Sequence, residues 1–485
     1  MPAISGQQYI QRIDNMNSNV WYCGEQITGR LSKHKAYKGA MGSKARLYDL
    51  QMTKHLREKM LYSSPLSGDF VGLSFLQPKT KDDLIRKREM YIEWAKTTHG
   101  LMGRTPDYLN TGLMALASAS VILKDQDNQF EKNLYNLYET AREQDLSFTH
   151  SFINPQTNRS SFYFEDQDEP IALRIVKKTF EGIIVSGARL LATEGGMTDE
   201  VLIFPTGGTL VDEQYSFAFS IPSNTAGLHF LCRNTFVQND STFDHPLSSQ
   251  FEEMDTLLVF DSVLVPWDRV FFYHRKDIAE RLFSKSGFTP HILHQVVSRQ
   301  VVKTEFLLGI AQLLVETLSV SEYQHIHEKI TELIIGLETH QALLYKSEKN
   351  CKLDSFGLMT PETEPLYIAV KLFTKWYPIY TEVLQLIGAG GLMILPTEND
   401  FKTKFTEEAY SKYILTDKVN AKGRTKLFRL AWDLTMSSFG TRQTLYERFF
   451  FGDPTRLATN LYKSYPRDEY RERVLSFLNI GPLDN

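Results

Sequence analysis

Charged positions broken by Leu84, Met90, Ile92 and Trp94 at helical spacing predict a helix over 81–96. An Ala- and Leu-rich run with no internal breaker predicts a second over 106–123, and an amphipathic stretch a third over 129–143. Near Ser147 the pattern changes. Short runs of β-branched and aromatic residues then alternate with turn signals through residue 275. Residues 172–179 and 182–187 read as a hairpin around Phe180-Glu181-Gly182, and 201–204, 216–221, 228–233 and 256–260 as further strands. Closely spaced short strands predict an antiparallel barrel or sandwich. From about Asp277 the helical period returns over 302–318, 326–349, 364–387 and 423–448, the pattern of a four-helix bundle. Pro361 and Pro365 mark one connection, and Gly388-Ala389-Gly390-Gly391 another. The boundaries predict a helical domain over 1–146, a β domain over 147–276 and a helical bundle over 277–485.

Composition narrows the function. The 485 residues are 42% hydrophobic and 23% charged, ordinary for a globular protein. A net charge of −4 leaves no electrostatic footprint for nucleic acid. Cys23, Cys232 and Cys351 are too few and too scattered for a disulfide framework or a zinc site, and they fit a reducing compartment. The N-terminus lacks a basic region followed by an apolar core, and no apolar run approaches the roughly 20 residues of a membrane span. The expectation is a cytoplasmic protein without a signal peptide.

The stretch from Gly103 to Arg159 concentrates candidate chemistry. Gly103-Arg104-Thr105-Pro106-Asp107-Tyr108 reads as a helix start, with Thr105 as N-cap, Pro106 at the first helical position and Asp107 in the first turn. Arg104 and Tyr108 bracket that helix end, where a cation, a phenol and free backbone N–H groups can converge on an oxygen anion. His150 follows an acidic helical run and precedes the turn Asn154-Pro155. Arg104, Tyr108 and His150 together could bind a substrate hydroxyl and stabilise its ionised form. Each also has a structural reading: Arg104 capping a carboxylate, Tyr108 in the core, His150 satisfied in a loop.

Beyond these residues, the chain carries Val185-Ser186-Gly187-Ala188-Arg189 with Ala192-Thr193, then Asp199-Glu200-Val201-Leu202-Ile203-Phe204-Pro205. Phe243-Asp244-His245-Pro246-Leu247-Ser248-Ser249, Phe260-Asp261-Ser262-Val263-Leu264-Val265-Pro266-Trp267 and Tyr446-Glu447-Arg448-Phe449-Phe450-Phe451-Gly452-Asp453-Pro454 follow in order. Across essentially its whole length the chain resembles the oxygenase component of the flavin-dependent 4-hydroxyphenylacetate 3-monooxygenase family. The resemblance implies an α+β multidomain architecture of the acyl-CoA-dehydrogenase-like type, with flavin between the β domain and the bundle and assembly into a homotetramer. It also implies ortho-hydroxylation of a phenol to a catechol in aromatic catabolism, using FAD supplied as FADH2, molecular oxygen and a flavin C4a-hydroperoxide.

The chain shows no nicotinamide motif, so a separate NAD(P)H-dependent flavin reductase is the expected partner. Arg104, Tyr108 and His150 match the family's substrate-hydroxyl triad. A phenol titrates near 10, so hydroxylation near neutral pH calls for an Arg that stabilises phenolate, a neutral His that takes the proton and a Tyr that donates to the oxygen. By the same resemblance His150, Gln156, Asn158 and Arg159 contact flavin, Thr193 bonds its ring near N5, and Gly452, Asp453, Pro454 and Thr455 touch its nucleotide end. Without the resemblance, residues 156–159 read as a solvated turn, Thr193 as a strand residue and 452–455 as a helix stop. Thr206 and Gly207 match the loop that contacts the substrate's tail. Gly207 stands where members acting on 4-hydroxyphenylacetate often carry a polar side chain, which leaves the exact phenol open.

Alternatives from the same fold are a halophenol monooxygenase and a non-catalytic flavin-binding or assembly protein. A dehydratase carrying an iron–sulfur cluster is excluded by the lack of several thiolates. His325 and His327 alternate on a helix and face apart, which argues against metal. Gly388-Ala389-Gly390-Gly391 lacks dinucleotide-fingerprint spacing. His291 and His294 could share a helix face, and nearby Arg299 points to an interface or anion role.

Overall fold

Thr80 starts the helix predicted around residue 81. Its hydroxyl accepts the Asp83 N–H and the Asp83 carboxylate accepts the Thr80 N–H, a reciprocal cap that fixes the first turn. The computed structural model describes residues 2–155, 171–205 and 213–481. Within them, the N-terminal part contains α1 (Gly6–Met16), α2 (Lys38–Met52), α3 (Lys81–Thr98), α4 (Pro106–Ser118) and α5 (Asn128–Gln144). The predicted helix over 106–123 stops at Ser118 and continues as a 3-10 turn over Ser120–Asp125.

The helical segment is not purely helical. Two short strands, β1 (Val20–Tyr22) and β2 (Glu25–Gln26), join the central sheet, because β1 pairs in parallel with β8 (Leu228–Cys232) further along the chain. Between them in sequence lie β3 (Phe148–Ser151), β4 (Arg174–Lys178), β5 (Gly182–Thr193), β6 (Glu200–Ile203) and β7 (Phe217–Pro222). After β8 come β9 (Asp255–Pro266) and β10 (Val270–Tyr273). One sheet has the order β2-β1-β8-β9-β5-β4 and the other β10-β7-β6-β3. The predicted hairpin is β4–β5, antiparallel, with Arg174 opposite Ser186. The pairings are antiparallel except for β1–β8 and β3–β6. The β3–β6 pair sets His150 opposite Leu202.

The C-terminal part is α6 (Phe288–Thr317), α7 (Gln324–Lys349), α8 (Thr363–Gly388), α9 (Ala421–Thr435), α10 (Ser438–Phe449) and α11 (Pro454–Ser464), with shorter helices between and after them. Buried residues surround the first half of α6, including His291, His294, Arg299 and Lys303, so it is the central helix. It packs against α4, α7 and α8.

The single helix expected over 423–448 is two. The Ser437 hydroxyl donates to the Asp433 carbonyl (2.7 Å) and accepts the Gly440 N–H (3.1 Å), closing α9 and capping α10. The break redirects α10, and with it Arg442, Gln443, Tyr446 and Glu447, toward the start of α4. The order helical, β, helical is the one the sequence pattern predicts.

Candidate active site

The loop leading into α4 is held at three backbone groups by residues distant in sequence. The Gly100 carbonyl accepts from Arg299 Nη1 (2.8 Å), the Leu101 carbonyl from Gln443 Nε2 (2.9 Å), and the Arg104 N–H donates to Glu253 Oε1 (2.7 Å). Gly103 is closely fitted: a Cβ there would lie 1.9 Å from the Tyr446 hydroxyl oxygen, so a side chain would have to displace the ring or the loop. Pro106 occupies the first helical position as predicted. Thr105 stands at the N-cap, but its hydroxyl makes no capping bond.

This loop presents Arg104 to an aromatic clamp. The guanidinium carbon lies 4.4 Å from the centroid of the Tyr108 ring, 4.4 Å from that of Phe450 and 5.7 Å from that of Tyr446. Arg104 Nη1 is buried without a hydrogen-bond partner, and no carboxylate pairs with the guanidinium among the described residues. A buried cation left open in this way is a site for an anionic oxygen.

The Tyr108 ring lies 5.9 Å from the His150 ring. Burial, reinforced by the charge of Arg104, pushes the His150 imidazole well below its usual value, so it is neutral at pH 7 and free to accept a proton. Burial pushes the Tyr108 hydroxyl up although Arg104 and Arg299 pull it down, so Tyr108 is a phenol that can donate. The structure therefore brings together Arg104, Tyr108 and His150.

A phenylalanine cluster extends the wall beside His150. Phe152 lies 5.0 Å from His150 and stacks on Phe204 at 5.0 Å; Phe283 and Phe288 complete the cluster, 5.5 and 6.2 Å from Phe204. This is suitable packing for an aromatic ring.

Thr193, the last residue of β5, adjoins the triad. Its carbonyl accepts from the Thr149 hydroxyl (2.7 Å), and its own hydroxyl donates to Asp255 Oδ1 (2.7 Å). Asp255 also accepts from Arg442 through both oxygens (2.7 Å each) and from Arg233 (3.0 Å). Burial would raise this carboxyl, but Arg442 and Arg233 hold it far below the usual range. Lys44 and Glu194 form a fully buried ion pair at 2.6 Å beside Thr193, in which burial raises the Glu194 carboxyl against the pull of Lys44.

The predicted turn at 452–455 begins two residues past Phe450. Gly452 adopts φ +96°, Pro454 opens α11 and Asp453 caps it by accepting the Thr455 N–H (2.6 Å). Gln156, Asn158, Arg159, Thr206 and Gly207 lie outside the described residues.

Several sequence expectations take other roles. His294 pairs with Glu348 (2.8 Å) and Arg299 with Glu447 (2.7 and 3.1 Å), so this part of α6 is bound within the chain rather than offered as an interface. His327 Nε2 donates to the Ser321 carbonyl just before α7 (2.6 Å), and no metal-holding cluster occurs among the described residues. The residues that sequence reading missed are Glu253, Asp255 and Arg442; Phe204, Tyr446 and Phe450 stood inside matched segments with no role given to them.

Comparison with known proteins shows the family. The family described as 4-hydroxyphenylacetate 3-hydroxylase matches through its N-terminal part over residues 5–272 and its C-terminal part over residues 279–479. A probable 4-hydroxyphenylacetate 3-monooxygenase of Bacillus subtilis is 50% identical, over 99% of each chain. The 4-hydroxyphenylacetate 3-monooxygenase oxygenase component of Thermus thermophilus is 43% identical, over 98% of this chain and 97% of that one. A crystal structure of such an oxygenase component complexed with FAD and 4-hydroxyphenylacetate superposes with a TM-score of 0.94 at 42% identity, covering 98% of each chain.

Proposed function

The chain belongs to the 4-hydroxyphenylacetate 3-hydroxylase family, and from that premise we propose how its residues divide the work. It is a flavin-dependent aromatic monooxygenase, the oxygenase component that hydroxylates 4-hydroxyphenylacetate beside its phenol oxygen. The observation that carries the division of roles is the buried, carboxylate-free Arg104 guanidinium facing a neutral His150.

FAD fits the residues present. Arg104 Nη1 and Tyr446 Oη are buried polar atoms without hydrogen-bond partners, with the Arg104 guanidinium 5.7 Å from the Tyr446 ring centroid, and the Thr193 hydroxyl oxygen keeps lone pairs after donating to Asp255. When bound in reduced form, the flavin supplies the oxygen-activating chemistry that no side chain provides. The rest falls to the protein. Arg104 binds the phenol oxygen and favours its ionised form, an attraction strengthened by burial. His150 accepts the phenolic proton, and Tyr108 donates a hydrogen bond to the oxyanion. Phe152 and Phe204 hold the ring and exclude water.

Gln156, Asn158 and Arg159 keep the flavin-contacting role that family membership suggests, as do Gly452, Asp453, Pro454 and Thr455 at its nucleotide end. Thr206 and Gly207 keep that of contacting the substrate's tail. A separate reductase delivers the reduced flavin, in keeping with the names of the oxygenase components. A homotetramer is supported by apolar side chains left open on the bundle, among them Leu313 (52% exposed), Leu386 (52%) and Leu445 (60%). Light scattering on the purified protein reads the assembly directly. Three unpaired cysteines fit the cytoplasm, and no helix among the described residues is long and apolar enough to cross a membrane. The division into domains at 1–146, 147–276 and 277–485 is retained, with β1 and β2 added to the central sheet.

The test is anaerobic mixing with dithionite-reduced FAD and 4-hydroxyphenylacetate, followed by oxygen and mass spectrometry. A catechol heavier by one oxygen is expected, and it should be lost in Arg104→Ala while the fold persists. Hydrogen peroxide with no hydroxylated product from the wild type would overturn the reading.

A further inference from the structure

The buried carboxylates of this region are matched to cations unequally. Glu447 lies 2.7 Å from both Arg299 and Lys303, Glu194 2.6 Å from Lys44, and Asp255 2.7 Å from Arg442. Glu253 differs. It is fully buried, yet its sole ion pair among the described residues is a long one, 3.7 Å from Oε2 to Arg442 Nη1, and neither of those two atoms has a hydrogen-bond partner. Its other oxygen, Oε1, accepts the main-chain N–H of Arg104 at 2.7 Å. The carboxylate therefore meets Arg104 at the backbone and leaves the guanidinium unpaired.

Coulomb attraction in a buried site favours the other arrangement, with the carboxylate on the guanidinium. The Arg104 side chain starts at the residue whose N–H Glu253 already holds, and rotation about its own bonds would bring the two charges together. Two sets of contacts oppose that closure. Tyr108 and Phe450 carry the guanidinium, 4.4 Å from each ring centroid, and Arg442 attracts the second Glu253 oxygen. Arg442 is itself fixed, by both Asp255 oxygens at 2.7 Å and by the Tyr446 ring, 5.2 Å from its guanidinium. We propose that Arg442 is a positioning residue for the phenol site: it keeps Glu253 on the Arg104 backbone, so that the Arg104 guanidinium stays open for the phenol oxygen. The inference rests on the reading of Arg104 as the phenol-binding cation. Without Arg442, Glu253 becomes a tethered competitor for the same charge, and the protein blocks its own substrate site.

The experiment measures phenol affinity in a double-mutant cycle. Full-length wild type, Arg442→Gln, Glu253→Gln and the double variant, loaded anaerobically with dithionite-reduced FAD, are titrated with 4-hydroxyphenylacetate. Arg442→Gln should weaken the phenol about tenfold or more, the scale of a buried charge pair. Glu253→Gln keeps an oxygen for the Arg104 N–H but has no charge to close on the guanidinium. In that background Arg442→Gln should change the affinity by no more than about twofold. A merely structural Arg442 would weaken binding equally in both backgrounds, because Asp255 loses the same partner in each. That result, or no weakening in Arg442→Gln alone, overturns the inference. If Arg442→Gln does not fold, Arg442→Lys takes its place, since a lysine keeps the charge but cannot give Asp255 two bonds and attract Glu253 as well. A crystal structure of the folded Arg442 variant decides independently of affinity. Glu253 should lie within hydrogen-bond distance of the Arg104 guanidinium, and a carboxylate still on the Arg104 amide refutes the proposal. Wild type that takes up reduced FAD but no phenol overturns both the proposal and the reading of Arg104 beneath it.

Discussion

Phe450 carries the Arg104 guanidinium on its ring, 4.4 Å from centroid to carbon, while its other neighbour Arg299 approaches to 5.5 Å. The Phe450 ring thus touches both the cation proposed to meet substrate and a cation already neutralised by Glu447. A desolvated cation–π contact contributes about 2 kcal/mol. Phe450→Leu should therefore lower kcat/KM for the phenol roughly tenfold or more, with circular dichroism unchanged, whereas Phe450→Trp should retain most of it. An unaltered kcat/KM in Phe450→Leu would mean that Tyr108 alone suffices to hold Arg104.

The protonation state of His150 sets a second expectation. Burial first, and the charge of Arg104 second, place its folded value well below the unfolded value of about 6.5. The unfolded chain therefore takes up the proton first as pH falls. The contribution of this group to stability is present above about pH 6.5 and declines below it, by at most about 1.4 kcal/mol per pH unit. Carbon-13 labelled histidine NMR should show His150 neutral at pH 6.5, and Arg104→Met should move its titration upward. A His150 that titrates at 6.5 or above would remove it as a resting proton acceptor.

What the sequence made legible and what it hid follow a physical line. Arg104, Tyr108 and His150 stand at element boundaries marked by local signals, Pro106 at the first position of one helix and a turn after one strand. The helix from Lys81 announced itself through the Thr80 and Asp83 cap. Glu253 grips the Arg104 amide from 149 positions away, and Arg442 reaches Asp255 from 187 away. No local pattern encodes such pairs. The helix break at Ser437 was hidden for a related reason: the amphipathic period runs through it, and the turn it makes brings Gly440 against the Leu434 carbonyl, where a Cβ would lie 2.3 Å away, a fit that only the folded turn reveals. Strands as short as Val20–Tyr22 and Glu25–Gln26 carry too few residues to show alternation.

Glu447 should be the most costly of the buried charges to remove. Burial would raise its carboxyl, but Arg299 and Lys303 hold it down to about 2. Both cations are themselves buried, with side chains 2% and 0% exposed. Glu447→Gln leaves them without a carboxylate, which costs about 3–5 kcal/mol, and calorimetry should register a marked fall in the unfolding temperature. The stability Glu447 contributes is present above its unfolded value of about 4.3 and is lost as pH falls from there toward about 2. A Glu447→Gln protein as stable as wild type at pH 7 but equally acid-sensitive would assign the acid transition to other carboxyls.

Gly103→Ala tests whether the Arg104 loop and α10 are fitted to each other. The added methyl would meet the Tyr446 hydroxyl oxygen at 1.9 Å and ring carbons at 2.4 and 2.6 Å, so either the loop or the ring must move. Overpacking of this kind costs about 1–3 kcal/mol. The displacement acts on Arg104, the next residue, so hydroxylation should fall further than stability alone explains, through a raised KM for the phenol. Trimming the opposing ring separates the two effects. In Gly103→Ala with Tyr446→Leu the clash is relieved, so the unfolding temperature should recover toward that of Tyr446→Leu alone. KM should recover only as far as Phe450 and Tyr108 can still clamp Arg104. If Gly103→Ala alone leaves both stability and KM unchanged, the contact between Gly103 and Tyr446 is looser than the structure places it, and Tyr446 does not fix the position of Arg104.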